Sequence, residues 1–570
     1  PSDSAAYRRG ELVRPVKQLV FYIDSLMPVK WNPYIKAGAE SWNKAFEKIG
    51  FKDVICVKEF PKNDTLFNAN SFDCMTIRYS ASWLNSAQTT IHSDTRTGEI
   101  LNASILINAN MISVQYADRI GATVAIDPRV RTTVFPQEIQ GELIQAAIAQ
   151  AVGTGLGLTM NWGASCAYPV DSLRSASFTQ KYGLASSVMG GVIINDVATE
   201  EDVRNGVCLV NTKPGPYDEL VIKYLYQPIY ASSLQEEKET LDSWIREHTG
   251  DPYYAYIRNQ SRFDSDPRNS RGSLGDDHLK SFDYMLPNVR KGFENYYSWF
   301  AKEDRDFLMR RRVHSALSER LSGRIYAILS YIGGIYLNDI REKDAIPSYS
   351  MVDREKQKAA LSKALELAKN LDWVDDTAHL NEFEISDKKA DRLRLDIFNG
   401  IFGRLPYVEV CTERFPDAAY TASEYLDDIY GIVWEGVLKH RPLENFDRAL
   451  QTAFLESIIS TSTATAPIGS FKASKTGFAA TGKPEINLAA LRNGGKVDMK
   501  MYSLQNAEEV AGFSSIPPIY TNQTKIAAYY FDLLMRTKDM LKKAISTAPE
   551  ADRSHYDLLI YRINKATEIE

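Results

Sequence analysis

The sequence predicts an α+β protein, with an α/β unit on the N-terminal side and a mostly α-helical part after it. Three observations predict this class. Short β-rich runs lie between residues 18 and 107, with one helical pattern among them and a second following. From about residue 216 the apolar spacing changes to long helical patterns with many charged residues. The chain has 570 residues and 44% hydrophobic content. That is apolar enough for packed cores and too long for one ordinary domain of about 100–200 residues.

The elements follow in order. Gln18-Leu19-Val20-Phe21-Tyr22-Ile23 is a β-rich run ended by Asp24 and Pro28. A helix comes next: Pro33 stands near its first turn, Ile35, Trp42, Phe46 and Ile49 fall near helical spacing, and Gly50 closes it. Val54-Ile55-Cys56-Val57 and Met75-Thr76-Ile77-Arg78-Tyr79 are short strands. Asp94-Thr95-Arg96-Thr97-Gly98-Glu99 carries turn chemistry and leads into a strand from Ile100 to Ile107. A second helix is predicted over 137–158. Ile139, Leu143 and Ala147 make one stripe beside Ile144, Ile148 and Val152, and the pattern ends in Gly153-Thr154-Gly155-Leu156-Gly157. Later helical patterns cover 280–300, 305–340, 354–371, 422–440, 443–460, 521–546 and 553–567. Residues 461–484, rich in Ser, Thr, Ala and Gly, read as a mobile loop or insert. The expected organisation is an extension over 1–14, an α/β domain over 15–215 and a helical domain over 216–460, then the insert and loop over 461–520 and C-terminal helices over 521–570.

Composition excludes several functions. Charged residues make up 25% and the net charge is −6, which gives no basic footprint for nucleic acid. No stretch of about 18 uninterrupted apolar residues is present, so no segment is predicted to span a membrane. The start at Pro1-Ser2-Asp3-Ser4, without an initiator Met, reads as a processed product or fragment from which any export signal has gone. Cys56, Cys74, Cys166, Cys208 and Cys411 show no C-x-x-C spacing, so zinc-ribbon and thioredoxin-type readings fail. They are either buried thiols or include a bridge such as Cys56–Cys74.

The predicted order of strands and helices, with the second helix running into Gly-x-Gly-Leu, resembles a zinc peptidase. In such enzymes that helix carries His-Glu-x-x-His: two His four residues apart bind zinc from one face, and the Glu is general base for the attacking water. In the metzincin version a Gly lets the chain turn, a third His follows, and a Met-containing turn lies beneath the metal. Here the segment is Gln150-Ala151-Val152-Gly153-Thr154-Gly155-Leu156-Gly157-Leu158-Thr159-Met160-Asn161. It is similar to the HEVGHTLGLRHN signature of the large zinc-dependent metalloproteases of Bacteroidetes. Val152, Gly153, Leu156, Gly157, Leu158 and Asn161 match. Gln150 replaces the first His, Ala151 the Glu, Thr154 the second His and Met160 the third.

Further segments carry the resemblance: Phe21-Tyr22-Ile23-Asp24, Trp31-Asn32-Pro33-Tyr34-Ile35, the turn from Ser93 to Ile100, Tyr168 to Ser175, and Gly215-Pro216-Tyr217-Asp218. In the helical half, Asp266-Pro267-Arg268, Leu274-Gly275-Asp276-Asp277, Pro287-Asn288-Val289 and Glu355-Lys356-Gln357-Lys358 also look family-like. The resemblance covers roughly residues 15–440. It implies a zincin-like, metzincin-type domain with a twisted mixed sheet and an active-site helix, and Ser187-Val188-Met189 as the Met-turn. The family continues that turn with Asp-Tyr, whose Tyr can stabilise the oxyanion; Gly190 and Gly191 stand there instead.

The replacements decide the expected chemistry. Gln offers a neutral carbonyl, Thr a neutral hydroxyl, and Met a soft thioether suited to Cu(I) rather than zinc. Ala151 accepts no proton. The family implies zinc, but no metal and no other cofactor is expected at Gln150, Thr154 and Met160, and no catalytic group at Ala151. The seven His residues form no H-x-H, H-x₂-H or H-x₃-H pair; His379 and Glu382 come nearest to a ligand pair and read better as a solvated surface. Gly153-x-Gly155-x-Gly157 lacks the spacing and the setting of a nucleotide loop, and Ser165 and Ser187 lack His/Asp partners of a nucleophile. Tyr253, Tyr254, Tyr256, Tyr296 and Tyr297 read either as the lining of a binding surface or, more commonly for such residues, as partly buried core with hydroxyls at its edge.

One binding device does not depend on a metal. Zincins hold substrate as an added strand along the edge strand above the cleft. The segment from Asn102 to Asn108, with Asn102, Ser104, Leu106 and Asn108, is the expected strand for this. The expected function is therefore a non-catalytic binding or scaffold subunit, exported to the periplasm, outer membrane or cell surface and lipid-anchored through a part outside this chain. Its expected partners are proteins of an outer-membrane or surface complex, and extended peptides. The alternatives are an active peptidase with relocated metal ligands and a purely architectural subunit with a filled cleft.

Overall fold

A computed structural model describes residues 1–64, 66–84, 87–257, 265–269, 273–342, 344–379, 382, 388–462 and 523–567. They form two compact units, Pro1–Leu426 and Asp427–Glu570. The first holds a five-stranded sheet: β1 (Leu19–Ile23), β2 (Ile55–Glu59), β3 (Met75–Ser80), β4 (Ala87–Ser93) and β5 (Ile100–Asn108). The order is β2-β1-β3-β5-β4. Neighbours from β2 to β5 run parallel and β4 alone is antiparallel, so the sheet is mixed.

Alternation builds one buried face. Phe21 and Ile23, Ile55 and Val57, Ile77, and Ala103, Ile105 and Ile107 share a core with Ile35, Ala39, Trp42, Ile144, Ala147, Ile148 and Val152. Apart from Trp42, which stands just before the short helix Asn43–Glu47, those helical residues belong to the helix Asn32–Glu40 and the central helix Gln137–Gly155, which pack on each other and on the sheet. Pro33 lies in the first turn of the former, where its missing N–H has no helical partner to lose.

The predicted strands at 18–23, 54–57, 75–79 and 100–107 form within one or two residues of those bounds. β4 is an addition, and it corrects the expected edge. β5 pairs with β3 on one side and with β4 on the other. The backbone of Asn102–Asn108 is therefore spent inside the sheet, and an added peptide cannot pair with it. The edge is β4. The helix Ala109–Thr123 is also unanticipated.

The boundary expected at 215/216 falls inside the first unit. The helix Leu308–Leu329 packs against Ala109–Thr123 and sends Arg320 and Arg324 to Asp196, a fully buried carboxylate on the sheet-bearing side. Burial alone raises the Asp196 pKa; the two guanidiniums more than offset it and hold the group below its ordinary value.

Helices His278–Phe300, Arg354–Lys369, Asn445–Ser462, Gln523–Ala544 and Glu550–Thr567 stand where the sequence places them. The pattern at 305–340 ends at Leu329 and gives way to a two-stranded ribbon, β6 (Ile335–Leu337) with β7 (Tyr349–Met351). Most of the insert expected over 461–520 lies outside the described residues. No described helix is long and apolar enough to cross a membrane.

All five cysteines are free thiols. The Cys56–Cys74 bridge is excluded by the sheet: β1 runs between β2 and β3, so two strand spacings of about 4.8 Å each separate the pair. A disulfide spans Cα atoms at no more than about 6.8 Å.

Candidate functional site

The site is built on the C-terminal end of the central helix. The Leu156 N–H closes the last turn onto carbonyls of that turn, and Gly157 leaves it at φ +94°, a left-handed conformation that suits glycine. The Tyr226 hydroxyl donates to the Leu156 carbonyl at 2.8 Å. Gly153 is a close-approach position: a Cβ there would lie 2.5 Å from the Met189 sulfur and 2.6 Å from the Trp42 ring. Trp42 is fixed in turn by its indole N–H, which donates to the Ala149 carbonyl at 2.8 Å. From above, the Thr89 hydroxyl of β4 donates to the Ala151 carbonyl at 2.9 Å and seats the edge strand on the helix.

Met189 lies beneath the helix, fully buried, on a short 3-10 turn. The Ser187 hydroxyl accepts from the Met189 N–H at 2.9 Å and donates to Asp218 Oδ1 at 2.5 Å. Asp218 also accepts from the Val188 N–H at 2.9 Å and the Gly215 N–H at 2.8 Å. Burial pushes its carboxyl up against the pull of those three donors, to about 7. The Asn161 N–H donates to the Met189 carbonyl at 3.1 Å, while its side chain bonds Ala255 O at 2.9 Å and the Ile257 N–H at 3.1 Å. The central helix, the segment after it and the turn at Met189 are thus locked together.

Within this frame the positions of interest converge. Gln150 and Thr154 are half-buried, one turn apart on one helix face. The Gln150 amide nitrogen lies 3.1 Å from the Met160 sulfur. The Thr154 hydroxyl turns back to the Gln150 carbonyl at 3.4 Å. Ala151 is a buried methyl. The fold puts Gln150 against Met160, with Thr154 one turn along the same helix, and the donors they offer are a primary amide, a hydroxyl and a thioether. Zinc takes neutral imidazole, thiolate or carboxylate, and this set does not fit it. Among the described residues no group of three His, Cys, Asp or Glu side chains is arranged to hold a metal ion. His379 and Glu382 have other partners: His379 bonds Asp376 at 2.9 Å, and Glu382 accepts from the Tyr297 hydroxyl.

The expected peptide-binding residues have internal roles. The buried Asn102 amide donates to Phe72 O at 2.8 Å and Cys74 O at 3.1 Å, and Ser104 donates to Asn102 Oδ1 at 3.1 Å. Leu106 is half-buried and Asn108 fully buried. Of the tyrosines, Tyr253 packs edge-on against Tyr168, Tyr256 stacks on Tyr217, and Tyr254 stacks on His248.

Sequence reasoning missed Thr89 and the role of Asp218. For Asp218 a signal was present: Pro216 at the first helical position and Asp218 two residues on mark a helix start whose carboxylate reaches back to the Gly215 N–H.

A search of curated proteins and a search of solved structures find no match. A family model described as Met-zincin matches residues 132–441. The match takes in the central helix, the turn at Met189 and Asp218, and makes this a metalloprotease-related protein. It spans more than half of the chain, and the chain belongs to the Met-zincin family.

Proposed function

We propose that this protein is a non-catalytic member of its family that acts as a binding or scaffold subunit, taking up an extended peptide or a partner's tail along β4. One observation supports the reading: at the positions that the resemblance gives to the ligands and the general base, the Gln150 amide lies 3.1 Å from the Met160 sulfur and Ala151 is a buried methyl. An amide, a hydroxyl and a thioether neither hold zinc nor lower the pKa of a water bound to it.

Binding along β4 needs no metal. The strand pairs only with β5 among the described residues, which leaves its other side for an incoming strand. Thr89 and Ala151 hold it over the central helix, so a peptide added there runs past Gln150 and Thr154. The wider setting is an exported subunit of a bacterial envelope complex, a proposal that rests on the resemblance to the Bacteroidetes enzymes. Co-purification from native membranes tests it.

The molecular reading is tested on the purified protein. A mixed-sequence fluorogenic peptide library is expected to stay uncleaved with or without added zinc. Peptides selected for binding are expected to protect backbone amides of residues 87–93 from hydrogen exchange. Turnover that disappears in Gln150→Ala contradicts the non-catalytic part; binders that protect other segments and leave β4 unchanged contradict the β4 part.

A further inference from the structure

Two segments of the helical half, Asp266-Pro267-Arg268 and Leu274-Gly275-Asp276-Asp277, have no task in the function proposed above, and both contribute to a cavity of about 290 Å³. Arg268, Asp276 and His278 line it together with Tyr331, Tyr336 of β6 and Ser350 of β7. Its volume is at the small end of ligand pockets, which run to roughly 300–1,000 Å³, and is many times the ~30 Å³ share of one water. None of these residues belongs to the site at Gln150 or to β4.

His278 opens the helix His278–Phe300 and is buried, with its ring stacked on Tyr331 at 4.7 Å. Its Nε2 lies 2.9 Å from the Pro267 carbonyl. A carbonyl only accepts, so Nε2 holds the ring proton and Nδ1 is a bare acceptor. Burial pushes the pKa of the ring down to about 4 and keeps it neutral. Nδ1 is itself buried and has no hydrogen-bond partner among the described residues, which costs stability unless a donor reaches it from the cavity. The Tyr331 hydroxyl accepts from the His278 backbone N–H at 2.9 Å, and its own proton finds no acceptor among the described residues. The hydroxyls of Tyr336 and Ser350 make no hydrogen bond among them either. Burial raises both phenols, so they stay protonated donors.

The charges at the walls are already matched. Arg268 donates to both oxygens of Asp266, at 3.0 and 2.7 Å, and the neighbouring Asp277 takes Lys356 at 2.9 Å. Asp276 is exposed, and one of its oxygens accepts from the Val170 N–H at 3.1 Å. An ion of either sign would lose its hydration here without gaining an unpaired buried counter-charge. What remains is a mixture of donors and acceptors, and the alcohol hydroxyl, with one proton and two lone pairs, meets both. We infer that the cavity binds a small uncharged polyhydroxy compound of monosaccharide size, with one hydroxyl donating to His278 Nδ1 and others accepting from Tyr331, Tyr336 and Ser350. Cys166 also lines the cavity, but its thiol lies 3.1 Å from the Ser273 hydroxyl and burial raises its pKa, so it offers no nucleophile and the site is one of binding.

The test uses the whole chain. D-glucose, D-galactose, D-mannose and myo-inositol are added singly as probes, with sodium acetate and ethylammonium chloride as charged controls, and binding is followed by saturation-transfer NMR titration. At least one uncharged probe is expected to bind, and more tightly than either control. Tyr336→Phe and Ser350→Ala each remove a hydroxyl that bonds no described residue. Each is expected to weaken binding roughly two- to tenfold, the worth of one hydrogen bond, with the thermal midpoint of the ligand-free protein unchanged. His278→Gln keeps a donor for the Pro267 carbonyl and lacks the Nδ1 acceptor, so it is expected to abolish binding; should it not fold, the other two variants decide. Absence of binding by all the uncharged probes, tighter binding of a charged control, or binding untouched by Tyr336→Phe and Ser350→Ala overturns the site. So does a probe-soaked crystal with water alone at His278 Nδ1.

Discussion

Gly153 shows how closely the central helix is packed against the turn beneath it. Its missing Cβ makes room for the Met189 sulfur at 2.5 Å and the Trp42 ring at 2.6 Å. The sulfur end is flexible, whereas Trp42 is fully buried and hydrogen-bonded to the helix it would have to leave. Gly153→Ala is expected to destabilise the fold by roughly 1–3 kcal/mol, the usual range for overpacking a core. Denaturant unfolding of the variant against the parent checks it.

Asp218 carries a prediction of a different kind. Its carboxyl is raised from an ordinary 3.8 to about 7 in the folded protein. A raised acid contributes stability that is fully present below its unfolded value and is lost as pH rises through the folded one. The Asp218 contribution is therefore complete below about pH 4 and disappears as pH climbs through about 7. Asp218→Asn has no such titration. The stability difference between parent and variant should shift against the parent between pH 5 and pH 8, and a difference constant over that window would contradict the assignment.

At the scale of elements, what the sequence made legible depends on how each element is buried. β1, β2, β3 and β5 carry Ile, Val and Phe on an inward face, and the central helix carries three-and-four spacing, so periodicity finds them. β4 escapes because only one of its faces meets the core. Thr89 is buried and Ile91 half-buried, between exposed Thr90, His92 and Ser93, which leaves no strong alternation. The helix Ala109–Thr123 hides for the opposite reason: its buried side includes Gln115, Arg119 and Thr123, with Arg119 paired to Asp127 at 2.6 Å. A polar stripe that is buried reads as a solvent face. At the site, the i, i+4 positions Gln150 and Thr154 were legible through the resemblance of their segment to the His-Glu-x-x-His helix, while the contact between Asp218 and Ser187 joins residues distant in sequence and carries no periodic signal. The corrected edge makes its own prediction. In the free protein, outward-facing amides of residues 87–93 should exchange with solvent faster than those of 102–107, because only β5 is paired on both sides. Equal protection in both strands would show that another segment covers β4.

Over the first unit as a whole, the segment after Met189 and the helices after residue 216 are joined by charge as well as by apolar packing. Asp196 receives Arg320 at 2.6 Å and Arg324 beside it, with Asp196 and Arg324 both fully buried. Asp196→Asn leaves two guanidiniums facing a neutral group, and loss of one partner of a buried pair costs about 3–5 kcal/mol. The expected outcome is a large drop in unfolding free energy, measured by denaturant titration. A change under about 1 kcal/mol, the level of a surface pair, would show that this contact does not hold the helix Leu308–Leu329 to the segment around Asp196.

The most direct check of the account is a zinc-soaked crystal of the unaltered protein measured at the zinc absorption edge. The account predicts no anomalous peak within bonding distance of Gln150, Thr154 and Met160, and an amide still seated against the sulfur. A peak bonded to those three side chains would contradict it.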